Sequence, residues 1–154
     1  MKIINKALTK VYKKDIKNGT IEIPKEVNTI RSFVFSNMDI SYIVIPNTVD
    51  IIEFAAFSNC KNVTEIIIKN PKCIIGQSAF AYCQNLRHIE LPNNLKILSD
   101  FTFRDCICLK EIIIPNTVST INEYQFIGSY FLDKIFYKNH IYSYHDLKTY
   151  HKFN

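Results

Sequence analysis

Three cysteines, Cys60, Cys83 and Cys106, recur at intervals of 23 residues. In one slot of successive structural units they would stand about 5 Å apart, the stacking distance of strands. A column of thiols could hold a metal or act as a redox switch. The same slot holds Met38 and Ser129, and neither would maintain a thiolate site. A buried column of small side chains is therefore the reading that the residue types favour. Cys106-Ile107-Cys108 lacks the two-residue spacer of a Cys-x-x-Cys site, and Leu109 marks Cys106 as a core position with Cys108 pointing outward. His140, His145 and His151 are spaced by five and six residues, so no two share a helical face in the His-x-x-x-His manner. His88 falls beside Glu65 and Glu90, but no Ser or Cys lies in its column to serve as a nucleophile. Glycine occurs only at 19, 76 and 128, which excludes a glycine-rich phosphate loop. No catalytic residue, cofactor site or metal site is expected, and the chain reads as a non-enzyme.

The elements that carry these residues must fit one domain of 154 residues. Hydrophobic residues make up 47% and charged residues 21%, which excludes wholesale disorder. The longest apolar run, Ala79 to Cys83, is far short of a membrane span. The start of the chain carries no apolar h-region, so no signal peptide is read there. With five cysteines and no secretory signal, free thiols and a cytoplasmic location are expected; for a virus or intracellular microbe this would be the host's cytoplasm. The net charge of +5 is uneven: residues 1–25 hold seven Lys against Asp15 and Glu22, and the remainder balances twelve against twelve. A nucleic-acid binder would carry a basic stripe along its main surface, so the placement argues against nucleic acid as the chief partner.

Phe recurs at 35, 57, 80, 103 and 126. Five residues before each lie Ile30, Ile52, Ile75, Leu98 and Ile121. Apolar pairs follow: Ile43/Ile45, Ile66/Ile68, Ile89/Leu91, Ile112/Ile114 and Ile135/Tyr137, with Ile21/Ile23 opening the series. Each pair predicts a short strand with one buried face. Pro at 24, 46, 92 and 115 ends the strand, because it has no N–H for a ladder. Lys69 takes that slot in one unit and Pro71 is displaced, which predicts an irregular turn. A second short extended piece leads into a compact helical or 3-10 turn such as Phe54-Ala55-Ala56-Phe57. Stacked coils of this kind bury a continuous core that no single coil can bury.

The pattern Leu-x-x-Ile-x-Ile-Pro-x-x-Val-x-x-Ile-x-x-x-Ala-Phe-x-x-Cys resembles the BspA-like class of leucine-rich repeats. It is clearest at Ile52 to Cys60, Ile75 to Cys83 and Leu109 to Val118. The resemblance implies a right-handed repeat solenoid of about five units of 22–23 residues, with a parallel β-sheet on the concave face and short helical or 3-10 turns on the convex side. It also implies a binding role, often on microbial surfaces. That family often places Gly just after the second Ile; here Arg31, Glu53, Ser99 and Asn122 fill the slot and only Gly76 matches, which argues against an obligatory positive φ there.

The solenoid is read over 20–138, between an N-terminal cap at 1–19 and a C-terminal cap or tail at 139–154. Residues 1–17 read as an amphipathic helix, with Ile4, Ala7, Leu8, Val11 and Tyr12 on one face and lysines on the other. Within each strand the outward positions form two columns. One reads Glu22, Val44, Ile67, Glu90, Ile113 and Phe136; the other reads Thr20, Tyr42, Glu65, His88, Glu111 and Lys134. Exposed apolar residues on a rigid sheet mark an interaction site. Val44, Ile67, Ile113 and Phe136 are expected to anchor a protein partner, with Tyr42, Glu65, His88, Glu90 and Glu111 supplying polar selection. Two rivals stand beside this: a self-associating structural repeat or surface adhesin fragment, and a nucleic-acid or membrane-surface contact through the basic N-terminal segment.

Overall fold

The computed structural model describes residues 1–149; His151 lies outside them. Two rows of strands run along the stack. The first row holds β4 (Tyr42–Ile45), β6 (Glu65–Ile68), β8 (His88–Glu90), β9 (Glu111–Ile113), β10 (Lys134–Tyr137) and β11 (His140–Tyr142). The second row holds β1 (Lys2–Ile4), β2 (Ala7–Lys10), β3 (Thr29–Ile30), β5 (Ile51–Ile52) and β7 (Ile74–Ile75). A short helix, α1 (Tyr144–Thr149), closes the described chain. Coil follows coil in parallel: β4 pairs with β6 and β6 with β8, while β2, β3, β5 and β7 pair in sequence order.

Alternation does what its period requires. Ile43, Ile66, Ile89, Ile112 and Ile135 point inward and are buried, as are Leu8, Ile30, Ile52, Ile75, Leu98 and Ile121 beneath the second row. Pro46 ends the β4 ladder, whereas Lys69 in the same slot donates its N–H to the Ile45 carbonyl at 2.9 Å. The irregular turn expected there is filled by the buried Asn70. Its Nδ2 donates to the Val49 carbonyl and to Asp50 Oδ1, both at 3.0 Å, and its Oδ1 accepts from the Lys72 N–H.

The other side of each coil is a run of tight turns. Phe35, Phe57, Phe80, Phe103 and Phe126 are fully buried and stack in order, with centroids 4.6, 5.6, 5.9 and 5.8 Å apart. Backbone amides alternate in their partners. Ala55, Phe57 and Asn59 donate across to Gln77, Ala79 and Ala81 of the next coil, while Ala56, Ser58 and Cys60 bond locally to Glu53, Ala55 and Phe57. Every amide of this segment is thereby satisfied, as burial demands. The geometry needs left-handed residues two before and two after each Phe: Phe33 and Asn37, Ala55 and Asn59, Ser78 and Tyr82, Phe101 and Asp105. The slot after the second Ile is not among them, as its residue types imply. These turns are successive β-turns, and a 3-10 segment takes their place at Glu123–Phe126.

The N-terminal helix expected from apolar spacing is not formed. Residues 2–10 are a hairpin, β1 antiparallel to β2, joined by Asn5 and Lys6 with φ of 49° and 62°. Two successive left-handed residues make the two-residue turn that matches strand twist. Leu8 then stacks on Ile30 in register, so tertiary pairing overrides the helical spacing and a further coil begins inside this segment. The other end mirrors it. Lys138 and Asn139, again left-handed, turn β10 into the antiparallel β11, and α1 sets Tyr144 and Leu147 into the core.

Candidate functional site

The thiol column is where the repeat places it. Cys60, Cys83 and Cys106 are fully buried, and each Sγ donates to the Phe carbonyl of the preceding coil: Phe35 at 3.0 Å, Phe57 at 3.3 Å and Phe80 at 3.3 Å. Ser129 continues the series, its Oγ donating to the Phe103 carbonyl at 2.7 Å. The slot therefore takes small donors, which the Ser signals and an apolar reading misses. Burial pushes Cys60 up to about 12 and raises Cys83 and Cys106 as well. These thiols stay protonated and unreactive near neutral pH. Cys108 is half-buried, with Sγ 3.9 Å from Asn85 Oδ1. Among the described residues, no three His, Cys, Asp or Glu gather closely enough to hold a metal ion. The His140 ring stacks on Tyr142, and His145 is exposed on α1.

The two outward columns of the first row form as ladders. Tyr42 pairs with Glu65 and Glu65 with His88; Val44 pairs with Ile67 and Ile67 with Glu90. Beyond a break, Glu111 pairs with Lys134 and Ile113 with Phe136. Tyr42, Val44, Glu65, Ile67 and Phe136 are half-buried by their neighbours, while His88, Glu90, Glu111 and Ile113 are exposed. Ile113 is the most open of the apolar set at 72%. The row thus falls into two sheets, β4-β6-β8 and β9-β10-β11. A crevice of about 400 Å³ lies where they meet, walled by His88, Glu90, Glu111 and Ile113 with Ile89, Leu91 and Ile112 beside them. His88 Nε2 stands 3.9 Å from Glu90 Oε1, both well exposed, so the pair is a weak, screened contact. No Ser, Thr or Cys lines the crevice to work with His88.

A second apolar patch escapes a reading confined to the first strands. Ile51 and Ile74 pair in register on the second row with side chains outward, and Ile97 holds the equivalent position in the next coil. Ile74 and Ile97 are 61% and 67% exposed. Phe33 and Phe54, also exposed, meet edge to face nearby in sequence, with centroids 5.3 Å apart. The signal was the residue just before Ile52, Ile75 and Leu98.

Stacked parallel coils with a buried Phe spine and strand-borne outward columns define a leucine-rich-repeat solenoid. The chain belongs to the BspA type leucine rich repeat family, whose pattern matches residues 5–133 in six copies. Six rather than about five units follow from the coil that opens at Ala7–Lys10. The chain is similar to a leucine-rich repeat protein from Bacteroides ovatus ATCC 8483, with 23% identity and a TM-score of 0.61 over 77% of this chain and 37% of that one. It is also similar to a leucine-rich repeat protein from Eubacterium ventriosum ATCC 27560, with 19% identity and a TM-score of 0.55 over 80% of this chain and 46% of that one. The likeness at these identities is one of fold, and the chain spans less than half the length of either. No curated protein matches the sequence. Membership in this family makes the chain a repeat module of the interaction type. No helix among the described residues is long and apolar enough to cross a membrane.

Proposed function

We propose that the chain is a non-catalytic interaction module that binds a protein partner through the first row of strands. The observation that carries this is the crevice between β8 and β9, where exposed Ile113 sits among His88, Glu90 and Glu111. Val44, Ile67 and Phe136 extend the apolar contact to either side, and Tyr42 and Glu65 border it. An apolar centre with a polar rim is the anatomy of an interface, and a few anchors carry most of its affinity. The site of action is proposed to be the cytoplasm, where unbridged thiols stay reduced; cell fractionation tests this.

The test is affinity capture from the native cell with wild type and Ile67→Lys/Ile113→Lys in parallel, alongside the melting temperature of each. Proteins held by wild type and lost from the variant, at an unchanged melting temperature, support the reading. Identical captures would contradict it. The apolar row Ile51, Ile74 and Ile97 favours a second reading, self-association through the second row. A mass that rises with concentration for wild type and not for Ile74→Lys identifies that case.

A further inference from the structure

The hairpin end of the stack differs in charge from the rest. Residues 1–21 contain six Lys against the single acid Asp15, while the remaining residues hold thirteen basic and thirteen acidic groups. The fold gathers several of these lysines. Lys2 and Lys10 are direct cross-strand partners, a like-charge pairing that weakens a hairpin. Lys10 and Lys14 place their Nζ atoms 5.3 and 5.8 Å from the centroid of the Tyr12 ring. Lys6 occupies the turn itself, and Lys2, Lys6, Lys10, Lys13, Lys14 and Lys17 are all exposed. The sole acid is already engaged: Asp15 accepts from the Tyr12 N–H and the Met1 amine, and these bonds, led by the amine, hold its carboxyl below the usual range.

Apolar side chains stand exposed among these charges. Ile4, next to the turn, is 47% exposed, and Tyr12 is exposed between its lysines. Ile3 packs on the core instead, so the hairpin is anchored while Ile4 is left over. Lysine charge around an exposed aliphatic tip and a tyrosine is the chemistry of an anionic lipid interface, where ammonium groups meet headgroups and the apolar tip enters the acyl boundary. Nucleic acid fits less well. The three arginines, 31, 87 and 104, all lie outside this end, so it lacks the forked donor suited to phosphates, and Ile4 has no counterpart to meet on a nucleic-acid backbone.

We propose that the N-terminal hairpin docks the end of the solenoid on an anionic lipid surface. Docking by this end leaves the first row, with Glu65, Glu90 and Glu111, free for a partner. The two activities are independent, because the crevice and the hairpin share no residue.

The test is co-sedimentation of the full chain with phosphatidylcholine vesicles containing or lacking phosphatidylserine, at low and high salt. Wild type should pellet with the anionic vesicles alone and be released by salt. Lys6→Glu/Lys10→Glu/Lys14→Glu should lower partitioning at least about a hundredfold, at roughly fivefold per lysine. It should keep the fold, since all three side chains are solvent-facing and Lys10→Glu gives Lys2 an opposite partner. Ile4→Ser should weaken the binding that persists at high salt. Failure of wild type to pellet, or equal pelleting of the triple variant with its melting temperature intact, overturns the proposal. So does tight, salt-sensitive binding of a single-stranded oligonucleotide by a chain that ignores the vesicles, which would assign the lysines to nucleic acid.

Discussion

The turn side and the strand side of the same coils are built to different standards. On the turn side, three amides per coil cross to the next coil at every junction from Phe33 to Asp105, the Phe stack is continuous, and the Cys and Ser donors repeat the same bond. On the strand side the second row ends at β7, where Ser99 Oγ rather than a ladder amide reaches the Ile75 carbonyl, and the first row parts between β8 and β9. The exposed His88, Glu90, Glu111 and Ile113 stand where the ladder is absent. In a solenoid each coil touches only its neighbours, so one continuous spine is enough to hold the stack. The strand side is then free to vary in what it presents.

The largest break of that contrast is in the spine. Phe80→Ala removes a fully buried ring from between Phe57 and Phe103 and should cost about 3–5 kcal/mol in a denaturant titration. Cys83→Asp should cost a similar amount, roughly 3–5 kcal/mol, by burying an unpaired carboxylate. Cys83→Ser should stay within about 1 kcal/mol, because a hydroxyl can make the same bond to the Phe57 carbonyl that Ser129 makes to Phe103.

The same thiols predict a loss of stability at alkaline pH. Burial lifts Cys60 and Cys73 from near 9 to about 12. Their contribution is full below pH 9 and is lost as pH rises towards 12, because only the unfolded chain releases these protons in that window. The slope is up to about 1.4 kcal/mol per pH unit for each thiol. Melts from pH 8 to 10.5 should show Cys60→Ser losing less stability than wild type.

A smaller effect belongs to the junction of two coils on the surface. Burial raises Glu53, but bonds from the Ser32 N–H at 3.0 Å, the Ser32 hydroxyl at 3.1 Å and Arg31 Nη1 at 2.8 Å outweigh it and hold the carboxyl below its ordinary value. Its contribution is present above pH 4.5 and fades as pH falls through the lowered value. Glu53→Gln should therefore flatten the acid limb of the stability profile slightly.

The spine was legible because each of its columns repeats one residue type at one period: Phe, the Cys slot and the Ile before the turn. The outward columns Val44–Ile67 and Ile113–Phe136 were legible for the same reason, since alternation assigns them a face. The hairpin at Lys2–Lys10 was not. Ile4, Ala7, Leu8 and Val11 fit a helical face by spacing, and the Asn5-Lys6 turn lacks the glycine that marks such a loop. What decides between the two is the pairing of Leu8 with Ile30, a contact across 22 residues that local pattern does not carry. The parting of β8 from β9 was equally hidden. His88-Ile-Glu and Glu111-Ile-Ile have the residue types of their laddered neighbours, and the difference lies in how the coils stack.

Residue-resolved hydrogen exchange of the native chain puts the contrast to its most direct test. If the turn side holds the fold, the amides of Phe57, Phe80 and Phe103 should exchange only at the rate of global unfolding, while those of His88–Glu90 and Glu111–Ile113 open faster than Glu65–Ile68. Uniform protection of both sides, or strands that outlast the spine, would contradict it.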